Sequence, residues 1–338
     1  MQWAMPEAVG HTDAIVDEIV RAIAPGATIT RRPFVYATSS RLEEIDVTDA
    51  GGKTLRLVAK HLGRDAMTEA ARQVKPAELD CPGRELAVYR HVLASAGLGT
   101  PALVSGWNDD DGGALVIERV EGSPLTEIGD FTTWEAAARW LARMHAMFAA
   151  APPRIPETPF SFAPPAPLVR YDRELLEVTG ARGLRRAASQ ALGPPELIVA
   201  LEARHEYALR ALASANRTLV HGDFYASNIV VAGDRIAVVD WELAGTGPGA
   251  LDLAALAAGG WSDEQRYDLM RAYHREAADA AGPTESFTAL VRRVELASLH
   301  LALRWVGSAT GSEAPAEHRR DWFAAAVAAL TRLDRGVP

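Results

Sequence analysis

Cysteine is almost missing from this chain: Cys81 is the only one in 338 residues. A lone thiol excludes an internal disulfide and any zinc site built on several cysteines. Lysine is nearly as scarce. Lys53, Lys60 and Lys75 are the only three, so 32 of the 35 basic residues are arginines. In such a chain each lysine stands out as a candidate for a specific role. No stretch approaches the ~20 uninterrupted apolar residues that a membrane helix needs. The opening MQWAMPEAVGHTDAIVDE also lacks the apolar core of a signal segment. Positive charge is not in excess either, since 35 basic against 44 acidic side chains give −9 with histidine neutral. That excludes a nucleic-acid binder working through a bulk basic field. The expectation is a soluble, cytoplasmic protein with neither nucleic acid nor membrane as a partner.

What is present is ample core material, with 48% hydrophobic and 23% charged residues over a length that suits two domains or two lobes. The first ~120 residues read as short strands around one helix. Phe34 to Tyr36 and Leu42 to Val47 suit paired strands joined by residues 37–41. Leu55 to Leu62 suits a third, with Leu55, Leu57 and Ala59 on one face and Arg56, Val58 and Lys60 on the other. Pro82 and Gly97 bracket a helix, and Ala114 to Val120 is a further strand. Helices then take over. Thr132-x-x-Glu135 suits a capping box, and Val294 to Val306 and Arg320 to Leu333 read as late helices. Between them, residues 152–167 hold seven prolines, which predicts an ordered surface loop or lid. Strands first and helices after is an α+β arrangement. The expected division is 1–120, a small antiparallel sheet lobe, and 121–338, a larger helical lobe.

The chemistry concentrates in LVHGDFYASNIVVAGDRIAVVDWELAGTGPGALDLA, residues 219–254. His221-Gly-Asp223 is followed by Asn228, and Asp240 ends the apolar run Ile236 to Val239. Phosphoryl transfer from a nucleotide needs a carboxylate at the attacking hydroxyl, a carboxylate and an amide oxygen on the metal, and a cation on the phosphates. Asp223, Asn228, Asp240 and Lys60 form that set in the order kinases use. Strands Ile229 to Val231 and Ile236 to Trp241, joined at Gly233-Asp234, would bring Asp240 back beside Asn228.

The passage resembles the catalytic core of the aminoglycoside phosphotransferase and choline kinase family, the small-molecule branch of the protein-kinase-like fold. His-Gly-Asp-x-x-x-x-Asn, Asp240-Trp-Glu242 and Gly249-Ala-Leu-Asp252-Leu-Ala match in order and spacing, and Trp140-Leu-Ala-Arg-Met-His145 resembles the helix before that core. The resemblance implies a two-lobed kinase-like fold and ATP- or GTP-dependent transfer with Mg2+. It implies that Asp223 is the base or orienter at the acceptor hydroxyl, and that Asn228 and Asp240 bind magnesium. Lys60, held by Glu85, would meet the phosphates, and Ser39 and Ser40 would cover them. Glu118 and Val120 would offer backbone groups to adenine, and Asp252 would brace the catalytic loop. His221 reads as a structural histidine of that loop. His145, His300 and Trp305 read as packing residues.

Two departures bear on function. The hairpin at Thr38-Ser39-Ser40 has no glycine, and Asp240 and Asp252 are only twelve residues apart. The short second interval leaves no room for a long activation segment and favours a small-molecule acceptor: a sugar, aminoglycoside, nucleoside or natural-product alcohol. Two rival readings stand beside it: a kinase for Ser or Thr of a short peptide, and a nucleotide-binding pseudokinase or scaffold. Residues 241–338 carry thirteen acids and ten arginines, too even a balance to name the acceptor. Nothing in these residues sets the oligomeric state.

Overall fold

A computed structural model describes residues 9–34, 40–75, 79–109, 112–155, 167–282, 285–308 and 320–336. The chain divides into two compact units, Met1–Glu121 with Ile155–Pro167 and Gly122–Arg154 with Leu168–Pro338. Most of the proline-rich segment, Ser39, and residues 35–36 of the strand expected at 34–36 lie outside the described residues, while the Phe34 amide donates to the Leu42 carbonyl at 3.0 Å. Among the described residues no helix is long and apolar enough to cross a membrane.

The first unit is built on an antiparallel sheet. Its strands are β1 (Thr28–Pro33), β2 (Leu42–Thr48), β3 (Thr54–Leu62), β4 (Leu103–Asp109) and β5 (Gly112–Glu118), in the order β1-β2-β3-β5-β4. Helix α1 (Val9–Ile23), which the strand pattern did not announce, covers one face. Val16 and Val20 pack there on Ile45, Val47, Leu57, Ala59, Ala114 and Val116. The alternation in β3 therefore holds for Leu57 and Ala59, while Leu55 is 42% exposed near the strand's start. A short α2 (Glu69–Val74) follows the sheet's first three strands. The helix bracketed by Pro82 and Gly97 begins as α3 (Arg84–Val88) and widens into a turn of i to i+5 bonds at Tyr89–Leu93. It lies against β4 and β5, where Gly106 leaves room for Leu86.

The second unit is mainly helical: α4 (Phe131–Ala150), α5 (Arg173–Ser189), α6 (Pro195–Ala213), α7 (Ala250–Leu256), α8 (Asp263–Ala281), α9 (Phe287–Ser308) and α10 (Trp322–Arg335). Asp130, not Thr132, caps α4, because its carboxylate is placed to accept the Thr132 amide. Helix α9 is the centre of the unit. It packs on α5, α6, α7 and α10, and its residues from Leu290 to Val306 are mostly buried. A helix apolar on most of its faces is stable only in such a setting. Its one buried carboxylate, Glu295, accepts from Arg266 at 2.8 Å and Arg332 at 2.9 Å. Two small sheets complete the unit. One joins β6 (Ser123–Pro124), β9 (Ile229–Ala232) and β10 (Arg235–Val238); the other joins β7 (Val169–Arg170), β11 (Gly245–Pro248) and β8 (Arg217–Val220).

The interior also holds a histidine pair. His205 of α6 and His300 of α9 stack with ring centroids 5.6 Å apart and Nε2 to Nδ1 at 3.3 Å. Burial holds His205 down at about 4 and His300 well below its ordinary value. Both rings are thus neutral in the folded chain but take up protons near pH 6.5 when unfolded. Stability is therefore full above that pH and falls as the pH drops from about 6.5 toward 4. Each ring adds a slope of up to about 1.4 kcal/mol per pH unit. Urea unfolding at pH 7.5 and 5.5 should show this loss, and a His205→Asn/His300→Asn double variant should show less. An equal loss in the double variant would mean that other groups set the slope.

Candidate active site

The site in the helical unit is assembled by one loop and one hairpin. Strand β8 runs into His221, and Gly222 then turns the chain at φ +83°. A side chain at Gly222 would collide with the Tyr171 hydroxyl and the Leu243 carbonyl, so both conformation and space demand glycine there. The loop presents Asp223, winds one short turn at Ala226–Asn228, and enters β9. Gly233, at φ +60°, makes the hairpin turn. Strand β10 then pairs back along β9, and the Val239 amide reaches the Asn228 carbonyl at 3.0 Å. Asp240 follows at once, in a left-handed conformation (φ +64°) that is costly for a residue with a side chain. The expected return of Asp240 toward Asn228 is what the hairpin delivers.

Asp252, on α7, ties this loop down. Its carboxylate accepts the His221 amide at 2.7 Å and the Gly222 amide at 2.9 Å, and lies 3.3 Å from His145 Nε2. His145 in turn meets the Tyr273 hydroxyl at 2.9 Å, which occupies its second nitrogen. His221 is equally committed. Its Nε2 donates to the Val239 carbonyl at 3.0 Å and its Nδ1 accepts the Asp223 amide at 3.2 Å. With both nitrogens engaged inside the protein, His221 joins the loop to the hairpin. Trp241 lies edge-on to it at 4.6 Å and is fully buried.

Asn228 donates its amide to the Asp223 backbone carbonyl at 2.9 Å and to Asp223 Oδ2 at 3.0 Å. Burial pushes the Asp223 carboxyl up to about 7, opposed by the charge of Arg304, reinforced by Asp240 and Glu242, and opposed again by the Asn228 bond. The Asn228 amide is thus bonded to Asp223, and the charges of Asp240 and Glu242 reach it. Oxygen donors of this kind suit a hard cation such as magnesium, which commonly takes one or two protein ligands and completes its shell with phosphate and water. Among the described residues, no three His, Cys, Asp or Glu side chains could hold a metal ion by themselves. The donor set fits a shared cation better than a resident one.

The sheet unit brings together a second pair that the sequence reading named. Lys60 of β3 and Glu85 of α3 meet at 2.8 Å, both buried. Lys60 lies on the face opposite Ala59, so the ion pair joins α3 to the sheet side away from α1. Glu118 ends β5, where its amide donates to the Ala102 carbonyl at 2.9 Å, and half-buried Val120 is two residues on. Ser40 is buried in a bridge to Met67.

Some contacts at the site were not foreseen from the sequence. Tyr171 donates its hydroxyl to the Leu243 carbonyl at 2.8 Å beneath Gly222. Trp305 donates to the Tyr225 hydroxyl at 2.6 Å and stacks on Trp322 at 5.6 Å. Arg304 reaches the Gly222 carbonyl from α9. A charged residue within LASLHLALRWV was the available signal for Arg304. Tyr171 gave none, because its partner is 72 residues away.

Comparison with known proteins gives the family and the fold. The model of the family described as "Phosphotransferase enzyme family" matches residues 47–285. Among solved structures, choline kinase from Cryptosporidium parvum Iowa II is similar with a TM-score of 0.58 at 13% identity, covering 96% of this chain and 94% of that one. A thermostable mutant of aminoglycoside phosphotransferase APH(4)-Ia, in ternary complex with ADP and hygromycin B, gives 0.51 at 17% identity over 95% and 97%. The streptomycin–ATP–APH(2″)-IIa ternary complex gives 0.51 at 16% identity over 94% and 96%. At such identities the likeness shows the fold, which is protein-kinase-like, with an antiparallel sheet part and a larger helical part. No curated protein matches the chain.

Proposed function

Because the chain belongs to the phosphotransferase enzyme family, whose model spans residues 47–285, it is a kinase-type enzyme, and we propose that it transfers the γ-phosphoryl group of ATP to a hydroxyl of a small molecule. The observation that carries this reading is the loop-and-hairpin cluster of Asp223, Asn228 and Asp240, held by Asp252. The solved relatives add support, since their complexes hold ADP with hygromycin B and ATP with streptomycin.

The roles follow from the chemistry of each group. Asp223 orients the acceptor hydroxyl and takes its proton. A carboxyl raised to about 7 is better matched to that task near neutral pH than an ordinary one. As the acceptor oxygen bonds to the γ-phosphorus, the bond to the β–γ bridging oxygen breaks and ADP leaves. Asn228 and Asp240 are the residues that would hold magnesium, which when bound offsets phosphate charge. Lys60 is assigned to the phosphates, and Glu85 fixes its ammonium in place. Glu118 and Val120 are assigned to the adenine, and Ser39 and Ser40 to the phosphate cover. We therefore assign nucleotide binding to residues 1–120, and catalysis with acceptor binding to 121–338.

Magnesium with ATP should raise the melting temperature without any acceptor, and Lys60→Ala should reduce that rise. The variant also leaves Glu85 buried without its cation, so the comparison is made on the nucleotide-induced shift, not on the absolute melting point. No shift with ATP, GTP or their stable analogues would count against the reading. ADP release over a panel of hydroxyl acceptors tests turnover itself.

A further inference from the structure

Arg304 is a buried cation that forms no ion pair among the described residues, although its charge reaches the Asp223 carboxyl. It is 8% exposed, yet its one hydrogen bond is to the Gly222 carbonyl at a long 3.4 Å, and its guanidinium lies 5.6 Å from the Trp305 ring centroid. No carboxylate of the described residues forms an ion pair with it. Arg266, similarly buried, shows the ordinary solution: Glu295 at 2.8 Å and the Ala257 carbonyl. Burying a guanidinium without an ion-pair partner is unfavourable, and a bound anion would offset that cost. Its position beside the proposed catalytic loop says where.

The surroundings narrow the choice. Tyr225, two residues after Asp223, is edge-on to both Trp305 and Trp322. Arg320 lies over Trp322, 5.4 Å from its ring centroid, and donates to the Gly259 carbonyl. Thus α9 and the segment opening α10 bring aromatic rings and two guanidinium groups near the loop that carries Asp223. Beside the charges of Asp223, Asp240 and Glu242, the two guanidinium groups supply the local positive charge, and a planar fork of N–H donors matches a carboxylate or phosphate.

Resting on the phosphotransferase reading above, we propose that the acceptor is an anionic alcohol, with its oxyanion on Arg304 and its hydroxyl at Asp223. Arg304 is then the residue that sets acceptor charge specificity. A hydroxy acid and a sugar phosphate share this chemistry.

The test is ADP release with magnesium and ATP across matched acceptors: hydroxy acids, sugar phosphates, neutral polyols and aminosugars. Anionic acceptors should give the highest kcat/KM. Arg304→Gln should cut their preference over neutral acceptors by about 30- to 100-fold, chiefly through KM, and Arg304→Lys should restore part of it. Circular dichroism and a thermal melt confirm that both variants are folded. Turnover of neutral or cationic acceptors alone would overturn this inference and leave the phosphotransferase reading intact. So would an equal fall in kcat for all acceptors, which marks a loop-positioning role, or a loss of Mg-ATP affinity, which assigns the guanidinium to the nucleotide. No ADP release with any class would overturn the phosphotransferase reading and this inference together.

Discussion

Asp223→Asn should leave Mg-ATP affinity within a few-fold of the parent and lower kcat by ~10²–10⁴, the range for losing a positioned base. Asp240→Ala should instead weaken Mg-ATP binding and remove turnover together. The difference follows from where each group sits. Asp223 is bonded to Asn228 and raised by burial, so its carboxylate is a proton acceptor poised at the loop. Asn at this position keeps the shape and the bond to Asn228 but takes no proton. Asp240 stands in a left-handed conformation just past the point where the hairpin closes on Asn228. Its assigned work is charge on the metal, and alanine provides none. Calorimetric titration of Mg-ATP on both variants, with steady-state kinetics on one acceptor, separates the two roles. Full turnover by Asp223→Asn, or parental Mg-ATP affinity in Asp240→Ala, would show that the roles are wrongly assigned.

Asp252→Ala should destabilise the helical unit more than any other single change at the site. The carboxylate is 1% exposed and accepts two buried amides, those of His221 and Gly222, beside His145. Alanine leaves both amides without an acceptor, at about 1–3 kcal/mol each. It also releases Gly222 from the positive φ that aims Asp223. For a unit of this size a melting point lower by roughly 10 °C is expected, at about 2–4 °C per kcal/mol. Asp252→Asn retains one acceptor oxygen and should fall between the two. Differential scanning calorimetry decides, and an alanine variant melting within about 2 °C of the parent would contradict the brace.

The sequence carried the catalytic loop because its chemistry is local. His221, Gly222, Asp223 and Asn228 lie within one turn region, and the hairpin that follows obeys alternation and a glycine turn. The same locality explains β2, β3, β5 and the helix after Pro82. Lys60 was visible through the rarity of lysine, and its partner Glu85 through the family motif. Two features were missed. Helix α1 carries Val16, Ile19 and Val20 at helical spacing, but the sheet that buries them forms later in the chain, and the cap of α4 moved to Asp130 because side-chain geometry selected it over Thr132.

By itself, then, the sequence determined the change from strands to helices after the sheet, the phosphotransferase core and the residue types able to perform its chemistry. Tertiary structure alone decided what holds that core and what stands beside it. Asp252 reaches back 31 residues to the His221 amide, and Arg304 reaches 82 residues to the Gly222 carbonyl. Trp305 finds the Tyr225 hydroxyl across 80 residues. Such contacts join side chains whose separations follow no helical or strand period. Whether a buried charge receives a partner is settled only when the helices pack, and for Arg304 the packing of α9 brought a backbone carbonyl, an aromatic ring and the charge of Asp223, but no ion pair among the described residues.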